Sequence, residues 1–177
     1  MILKMEIKNL TKAEDCKKCI DCCCLFEKDD LNFAPIFTKN ELKKIKEKYT
    51  YKFTARPYDI PKKAFIVNLI KSKKEKEMYV CPFFNEEGRF CKINDLKSLD
   101  CRLWPFILVK DGDRIILACF RKSFCPSIKK IRQKEFDEYS KYLTRILKKD
   151  KNIKFLKSFP VLNKNLFTEI FSVAKII

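Results

Sequence analysis

The segment DCKKCIDCCCL places five cysteines, Cys16, Cys19, Cys22, Cys23 and Cys24, within nine residues. Spacing that regular rarely serves packing alone, so a fold built from this chain must give the thiols a common task. Two intervening residues let the backbone curl until both sulfurs reach one metal, at about 2.3 Å for zinc or a comparable distance for iron. Repeated C-x2-C-x2-C is also the ligand run of bacterial ferredoxins. Three consecutive cysteines cannot readily share one tetrahedral ion, because adjacent side chains of an extended backbone point to opposite sides. Cys22 and Cys23 are therefore better placed to serve different centres, or one centre and its surroundings.

A second set follows: Cys81, Cys91 and Cys101 at ten-residue intervals, then Cys119 and Cys125. In VCPFFNEEGRFCKI two thiols flank a turn, and a shared metal there would staple it shut. Ten cysteines suffice for two four-thiolate centres with two left over. Burial as a small hydrophobe is the competing role for Cys24 and Cys119. The chain has no histidine. That removes the commonest general base, excludes Cys-His and Ser-His hydrolase schemes, and removes the nitrogen ligand of most catalytic zinc sites. No carboxylate pair stands out from the general charge, so no catalytic residue is assigned.

Cysteine-rich chains carry disulfides when secreted and metals or redox chemistry in a reducing cytosol. The opening MILKMEIKNLTKAED turns charged too early for a signal-peptide core, and no apolar run approaches the ~20 residues that cross a bilayer. We therefore expect a cytoplasmic protein with no membrane partner. Disulfides throughout remain the alternative for a thermophile cytosol, which the Lys-, Glu- and Ile-rich composition with two glycines resembles.

The formal charge is +17. Basic clusters recur in KNELKKIKEK, KSKKEKE and SIKKIRQK, a field that favours polyanions, nucleic acid among them, without specifying one. Metal-bound thiolates would reduce this charge, since ligating cysteines are deprotonated.

A hydrophobic fraction of 46% with sixteen phenylalanines argues for a packed core in a chain of 177 residues. Thr38 and Glu41 stand in capping-box spacing and predict a helix over Lys39 to Lys48. AFIVNLI (64–70) and MYVCPFF (78–84) read as strands of one hairpin across KSKKEKE. Gly88 marks a turn, and ILVKDGDRIIL reads as a second hairpin with Asp111-Gly112 at its tip. Ser127 is the expected cap of a long helix with Ile128, Ile131, Phe136, Tyr139, Leu143 and Ile146 on one face, ending near Lys148 and Lys149. NLFTEIFSVAKII reads as a helix docked on the core. The predicted class is α+β: a small antiparallel sheet, two to three helices and cysteine-rich metal-binding loops. The expected organisation is a lead-in over 1–15, a cysteine-cluster metal-binding domain over 16–127, and a helical extension over 128–177.

Together, CKKCIDCC, CPFFNEEGRFCKI and CRLWPF resemble the zinc- or iron-chelating cysteine-cluster family known by its C-x2-C-x2-C-C signature. Its members continue with a CPF-like strand, a C-x-I turn and a CR-x-x-PF segment. The resemblance covers about residues 16 to 127, and PIFTKNEL also has its counterpart there. It implies metal ligation by Cys16, Cys19, Cys22 and Cys23, then Cys81, Cys91 and Cys101, with Cys125 or Cys119 as an eighth position. Departures are Ile20, where many members have Gly, and the additional thiol Cys24.

The expected function is thus a cytoplasmic metal-binding protein holding an iron–sulfur cluster, of the 4Fe–4S kind, or zinc, with a redox or metal-handling role and room for a protein partner. Two alternatives stand beside it. One is an S-adenosylmethionine-dependent protein lysine methyltransferase or a fragment of one, since the flagellin lysine-N-methylases share the cysteine region. Against it, Gly88 and Gly112 are far apart and form no nucleotide loop. The other is a zinc-stabilised nucleic-acid-binding module. Phe83, Phe84, Phe90, Trp104 and Phe106 are expected to pack around the cysteine site and exclude water from it.

Overall fold

The computed structural model describes residues 7, 8, 10, 14, 17, 23–59, 64–120, 125–159, 161–166 and 170–177. The chain divides into two compact units, Lys12–Cys101 and a second made of Met1–Thr11 with Arg102–Ile177. The class is α+β, as expected, but richer than one small sheet with two or three helices: the described residues form four short sheets and five helices. The division after Cys101 also differs from the grouping of 16–127 read from the sequence, since it places 102–127 with the chain's C-terminal part.

In the Lys12–Cys101 unit, strand β1 (Leu25–Phe26) leaves the first cysteine cluster, and β2 (Ile36–Thr38) runs directly into helix α1 (Lys39–Lys48). The predicted cap is present. Thr38 Oγ1 accepts from the Glu41 N–H at 3.3 Å, and Glu41 Oε2 accepts from the Thr38 N–H at 2.8 Å. Such a reciprocal cap satisfies two of the orphan donors of the first turn and contributes about 1 kcal/mol. Leu42 and Ile45 form the buried stripe of α1.

The expected pairing of AFIVNLI with MYVCPFF is corrected by the observed register. Strand β4 (Ala64–Val67) lies between β2 and β3 (Ala55–Asp59), antiparallel to both, with Ile36 and Arg56 opposite Ile66. Ala64, Ile66 and Val67 are all buried, so this segment is apolar on both faces and fits a central strand, not one arm of an isolated hairpin. Only β5 (Ile70–Lys71) turns back to pair with β6 (Tyr79–Val80), and β1 covers the other edge of β6, with Leu25 opposite Val80. Strands β7 (Phe84–Asn85) and β8 (Phe90–Cys91) close a small hairpin whose turn contains Gly88, as predicted.

The loop KSKKEKE is held from one side by Glu86. Its carboxylate accepts from the Ser72 hydroxyl at 2.5 Å and from the Lys73 and Lys74 N–H groups at 3.1 and 3.3 Å. Partial burial alone would raise the Glu86 pKa, but these three donors outweigh it and hold the carboxyl below the usual range. A depressed folded-state pKa gives stabilisation that is complete above the ordinary glutamate value and fades as pH falls through the lower folded one. Glu86→Ala should therefore speed amide exchange at Lys73 and Lys74 severalfold at neutral pH while leaving the melting midpoint nearly unchanged. Acidifying the parent protein until Glu86 is protonated should lower the protection factors of those two amides, measured against their intrinsic rates at the same pH, by a similar factor.

The second unit is organised on one sheet, in the order β11 (Leu162–Asn163), β9 (Phe106–Asp111), β10 (Arg114–Phe120), β12 (Ile170–Lys175). β9 and β10 form the predicted hairpin, with Asp111 opposite Arg114. The two-residue tip is thus Gly112-Asp113, not Asp111-Gly112; Gly112 takes φ 62°, a left-handed conformation that glycine adopts without steric cost.

The long helix expected from Ser127 is instead two helices, α3 (Pro126–Lys129) and α4 (Gln133–Leu147). Cys125 occupies the cap position of α3, with Pro126 first in the helix, where a fixed φ and a missing N–H cost nothing. Arg132 then turns extended, and Glu135 accepts from its backbone N–H at 3.3 Å and its guanidinium at 2.6 Å, which restarts the helix. Phe136, Ser140, Leu143 and Leu147 make the buried face of α4, and a further helix, α5 (Asp150–Ser158), follows.

NLFTEIFSVAKII does not end as a helix. Ile170–Lys175 is a strand, antiparallel to β10 with a register shift between Leu117 and Ala118. Its β-branched and aromatic residues suit an extended edge, and β10 offers the open row of backbone partners that a local reading of periodicity does not see.

Candidate metal centre

Of the cysteines expected as ligands, Cys16, Cys19 and Cys22 lie outside the described residues. Cys23 is exposed, whereas Cys24 is half-buried and packs against the apolar core of the Lys12–Cys101 unit. Cys81, Cys91 and Cys101 belong to the same unit, and Cys119 and Cys125 to the other. Cys119 is fully buried in β10, where its thiol contacts the Phe120 carbonyl at 3.3 Å; Cys125 is buried at the start of α3. Cys81, Cys91, Cys101 and Cys125 are thiols, not disulfides.

A chain of backbone bonds brings the central three toward each other. The Cys81 N–H donates to the Cys24 carbonyl at 3.1 Å, which ties the exit of the first cluster to the second. A tight turn follows, closed by the Phe84 N–H on the Cys81 carbonyl at 2.9 Å. Lys92, just past Cys91, donates its N–H to the Phe83 carbonyl at 2.8 Å, so the end of β8 returns to that turn. A 3-10 turn at Asn94–Leu96 then leads to Ser98 and helix α2 (Leu99–Leu103), which carries Cys101 in its first turn.

A polar donor near each of the three sulfurs counters the effect of burial. The Phe83 N–H serves Cys81, the Ile93 N–H serves Cys91, each two residues downstream of its cysteine, and the Ser98 hydroxyl serves Cys101. Ser98 is itself fully buried and accepts from the Cys101 N–H at 3.4 Å, so it fixes both ends of that residue. Burial dominates the electrostatics. It pushes the Cys81 thiol far up, with the neighbouring Cys101 adding and the Phe83 N–H offsetting. Burial likewise raises Cys91 against the Ile93 N–H. It lifts Cys101 to about 12 against the Ser98 hydroxyl, with Asp100 and Cys91 adding to the rise. A thiolate at Cys101 or Cys91 would push Cys81 up further, and one at Cys91 would do the same to Cys101, so ionisation of one disfavours ionisation of its neighbours. Without a counter-cation these thiols stay protonated at neutral pH, and a cation that binds them must displace the protons.

Among the described residues, no group of three or more Cys, Asp or Glu side chains is drawn close enough to hold a metal ion. The donor set fits a soft metal by its chemistry: sulfur atoms, apolar surroundings and hydrogen bonds aimed at the sulfurs.

The aromatic shell differs from expectation. Phe83 and Phe84 are buried in the same core as Cys81, but Phe90 is 45% exposed. Trp104 and Phe106 pack within the other unit, on Phe120 at 4.8 Å and Phe136 at 5.2 Å between ring centres. Sequence reasoning missed Ser98 and Lys92, whose roles depend on chain reversals that no local motif encodes.

No protein-family model, curated protein or solved structure matches this chain. Among the described residues, no helix is long and apolar enough to cross a membrane.

Proposed function

We propose that this is a cytoplasmic metal-binding protein in which Cys81, Cys91 and Cys101, with thiols of the first cluster, hold an iron–sulfur cluster or zinc. The observation that carries this reading is the arrangement of Cys81, Cys91 and Cys101. Cys81 follows β6, Cys91 ends β8 and Cys101 lies in α2; each has a polar donor near its sulfur that offsets burial, and Cys81 is bonded through its N–H to the chain leaving the first cluster. Packing alone asks for no donors at sulfur; a thiolate does, because they disperse its charge. The first cluster supplies C-x2-C-x2-C spacing, which suits iron, while an all-cysteine donor set serves structural zinc equally well. A bound cluster would supply one-electron transfer; a zinc ion would supply a crosslink between the hairpin β7–β8, helix α2 and the first cysteine cluster.

Anaerobic purification with elemental analysis and an absorption spectrum tests this. Brown protein with iron, acid-labile sulfide and a charge-transfer band identifies the cluster; colourless protein with stoichiometric zinc identifies the structural ion. Protein with neither metal, also after reconstitution with each under reducing conditions, overturns the reading.

A further inference from the structure

The Lys12–Cys101 unit carries an open groove of about 570 Å³ that the thiols do not use. It runs along the last turn of α1 and the extended stretch YTYKFT, with Lys46, Tyr49, Tyr51, Lys52 and Phe53 along it and Pro82 beside them. No carboxylate lines it. The alternation in YTYKFT brings three rings to the groove. Tyr49 and Tyr51 stack at 5.5 Å with planes 17° apart, and Phe53 stands edge-on to buried Phe83 at 4.8 Å. Ammonium groups sit at these rings, Lys46 Nζ 5.6 Å from the Phe53 centre and Lys92 Nζ 4.8 Å from that of Tyr51. Lys48 Nζ lies 5.5 Å from the Tyr49 centre and also pairs with Asp95, which accepts from the Tyr49 hydroxyl and so clamps that ring. Tyr51 is 38% exposed and Ile70, also at the groove, 51%.

Ring faces flanked by cations, in a groove whose lining holds no carboxylate, match a ligand that is flat, aromatic and negatively charged at regular intervals. We infer that this groove binds single-stranded nucleic acid, a base lying on Tyr51 and the phosphates on Lys46, Lys52 and Lys92. An unpaired strand is required because a duplex hides the base faces that stacking needs. An acidic peptide would use the lysines but leave the rings without a partner. A polymer suits the open groove and the charge of +17 better than one nucleotide does, since each neutralised phosphate releases counterions. Base stacking on an aromatic face outweighs an exposed cation–π contact, so an arriving base displaces Lys92 from Tyr51 and leaves its ammonium for a phosphate.

The test is fluorescence anisotropy of a labelled oligothymidylate of about 12 nucleotides with the full-length protein across a salt series. Affinity should fall steeply with salt, and a duplex of equal length should bind more weakly. Tyr51→Ala should weaken binding roughly tenfold or more with the salt slope unchanged, and Lys52→Gln should reduce that slope by about one. Lys28→Gln, outside the groove, should alter neither. Equal losses in Tyr51→Ala and Lys28→Gln, equal binding of the duplex, competition by thymidine monophosphate at matched nucleotide concentration, or no binding at low salt would overturn the inference. Should Tyr51→Ala fail to fold by its melting curve, the contrast between Lys52→Gln and Lys28→Gln decides.

Discussion

Cys101→Ser protein is expected to emerge from purification without the metal proposed above and to melt on the order of 10 °C or more below the parent, while Cys119→Ala should keep both that metal and most of its stability. The difference lies in what each sulfur does. Cys119 fills space in the interior of β10, and removing one polarizable atom from a packed site costs on the order of 1 kcal/mol. In the proposed centre Cys101 would hold α2 to the Cys81 turn through the shared ion, and structural metal sites contribute roughly 10–16 kcal/mol of apparent binding free energy to folding. Serine preserves shape and can still bond to Ser98, so packing is nearly retained; what it removes is the soft anionic donor. The decisive control is the same pair of proteins after chelation under reducing conditions. There the parent thiols are neutral and buried, and the gap between parent and Cys101→Ser should shrink to about 1 kcal/mol. An equally large gap with and without metal would mean that Cys101 is merely a packed thiol, and the ligand assignment would fail.

Which parts of this molecule could be read from the chain follows from how local their causes are. Thr38, Glu41 and the apolar stripe of α1 sit within one or two turns of each other, and the hairpin at Gly112 is set by two adjacent residues; both are legible. AFIVNLI reads correctly as a strand but not with its main pairing, and the C-terminal run reads as a helix, because their partners are remote. Ala64–Val67 becomes a central strand only because β2 and β3 cover it, and Ile170–Lys175 becomes a strand only because β10 has an open edge. Pro126 takes the first helical position and so moves the cap from Ser127 to Cys125, a rule of position that an apolar pattern does not reveal. The same holds at the site. Cysteine spacing nominates donors, but the donors at the sulfurs, Phe83, Ile93 and Ser98, are visible only once the chain has turned. The groove was half legible: Tyr49, Tyr51 and Phe53 alternate in the sequence, yet Tyr49 reads first as the end of an amphipathic helix.

Phe83→Ala should cost about 3–5 kcal/mol and lower the melting midpoint by roughly 10 °C, whether or not metal is bound. Phe83 is almost wholly buried, with Phe37 edge-on at 5.9 Å and Phe53 at 4.8 Å, and belongs to the core formed by Ile36, Ile45 and Ile66. A ring that size leaves a cavity that strands β2 and β4, fixed by their ladder, cannot collapse to fill. Its backbone N–H on the Cys81 sulfur survives the substitution, so the loss measures packing, not thiolate stabilisation. Metal content should therefore stay stoichiometric below the lowered transition, unlike that of Cys101→Ser. Phe53 also lines the groove, so losing its edge-on partner should weaken oligonucleotide binding in the same variant. A variant that melts like the parent, or that sheds its metal while still folded, would show that the aromatic core and the thiol turn are not layered in this way: the ring would then hold the sulfurs in place and not merely floor the unit that carries them.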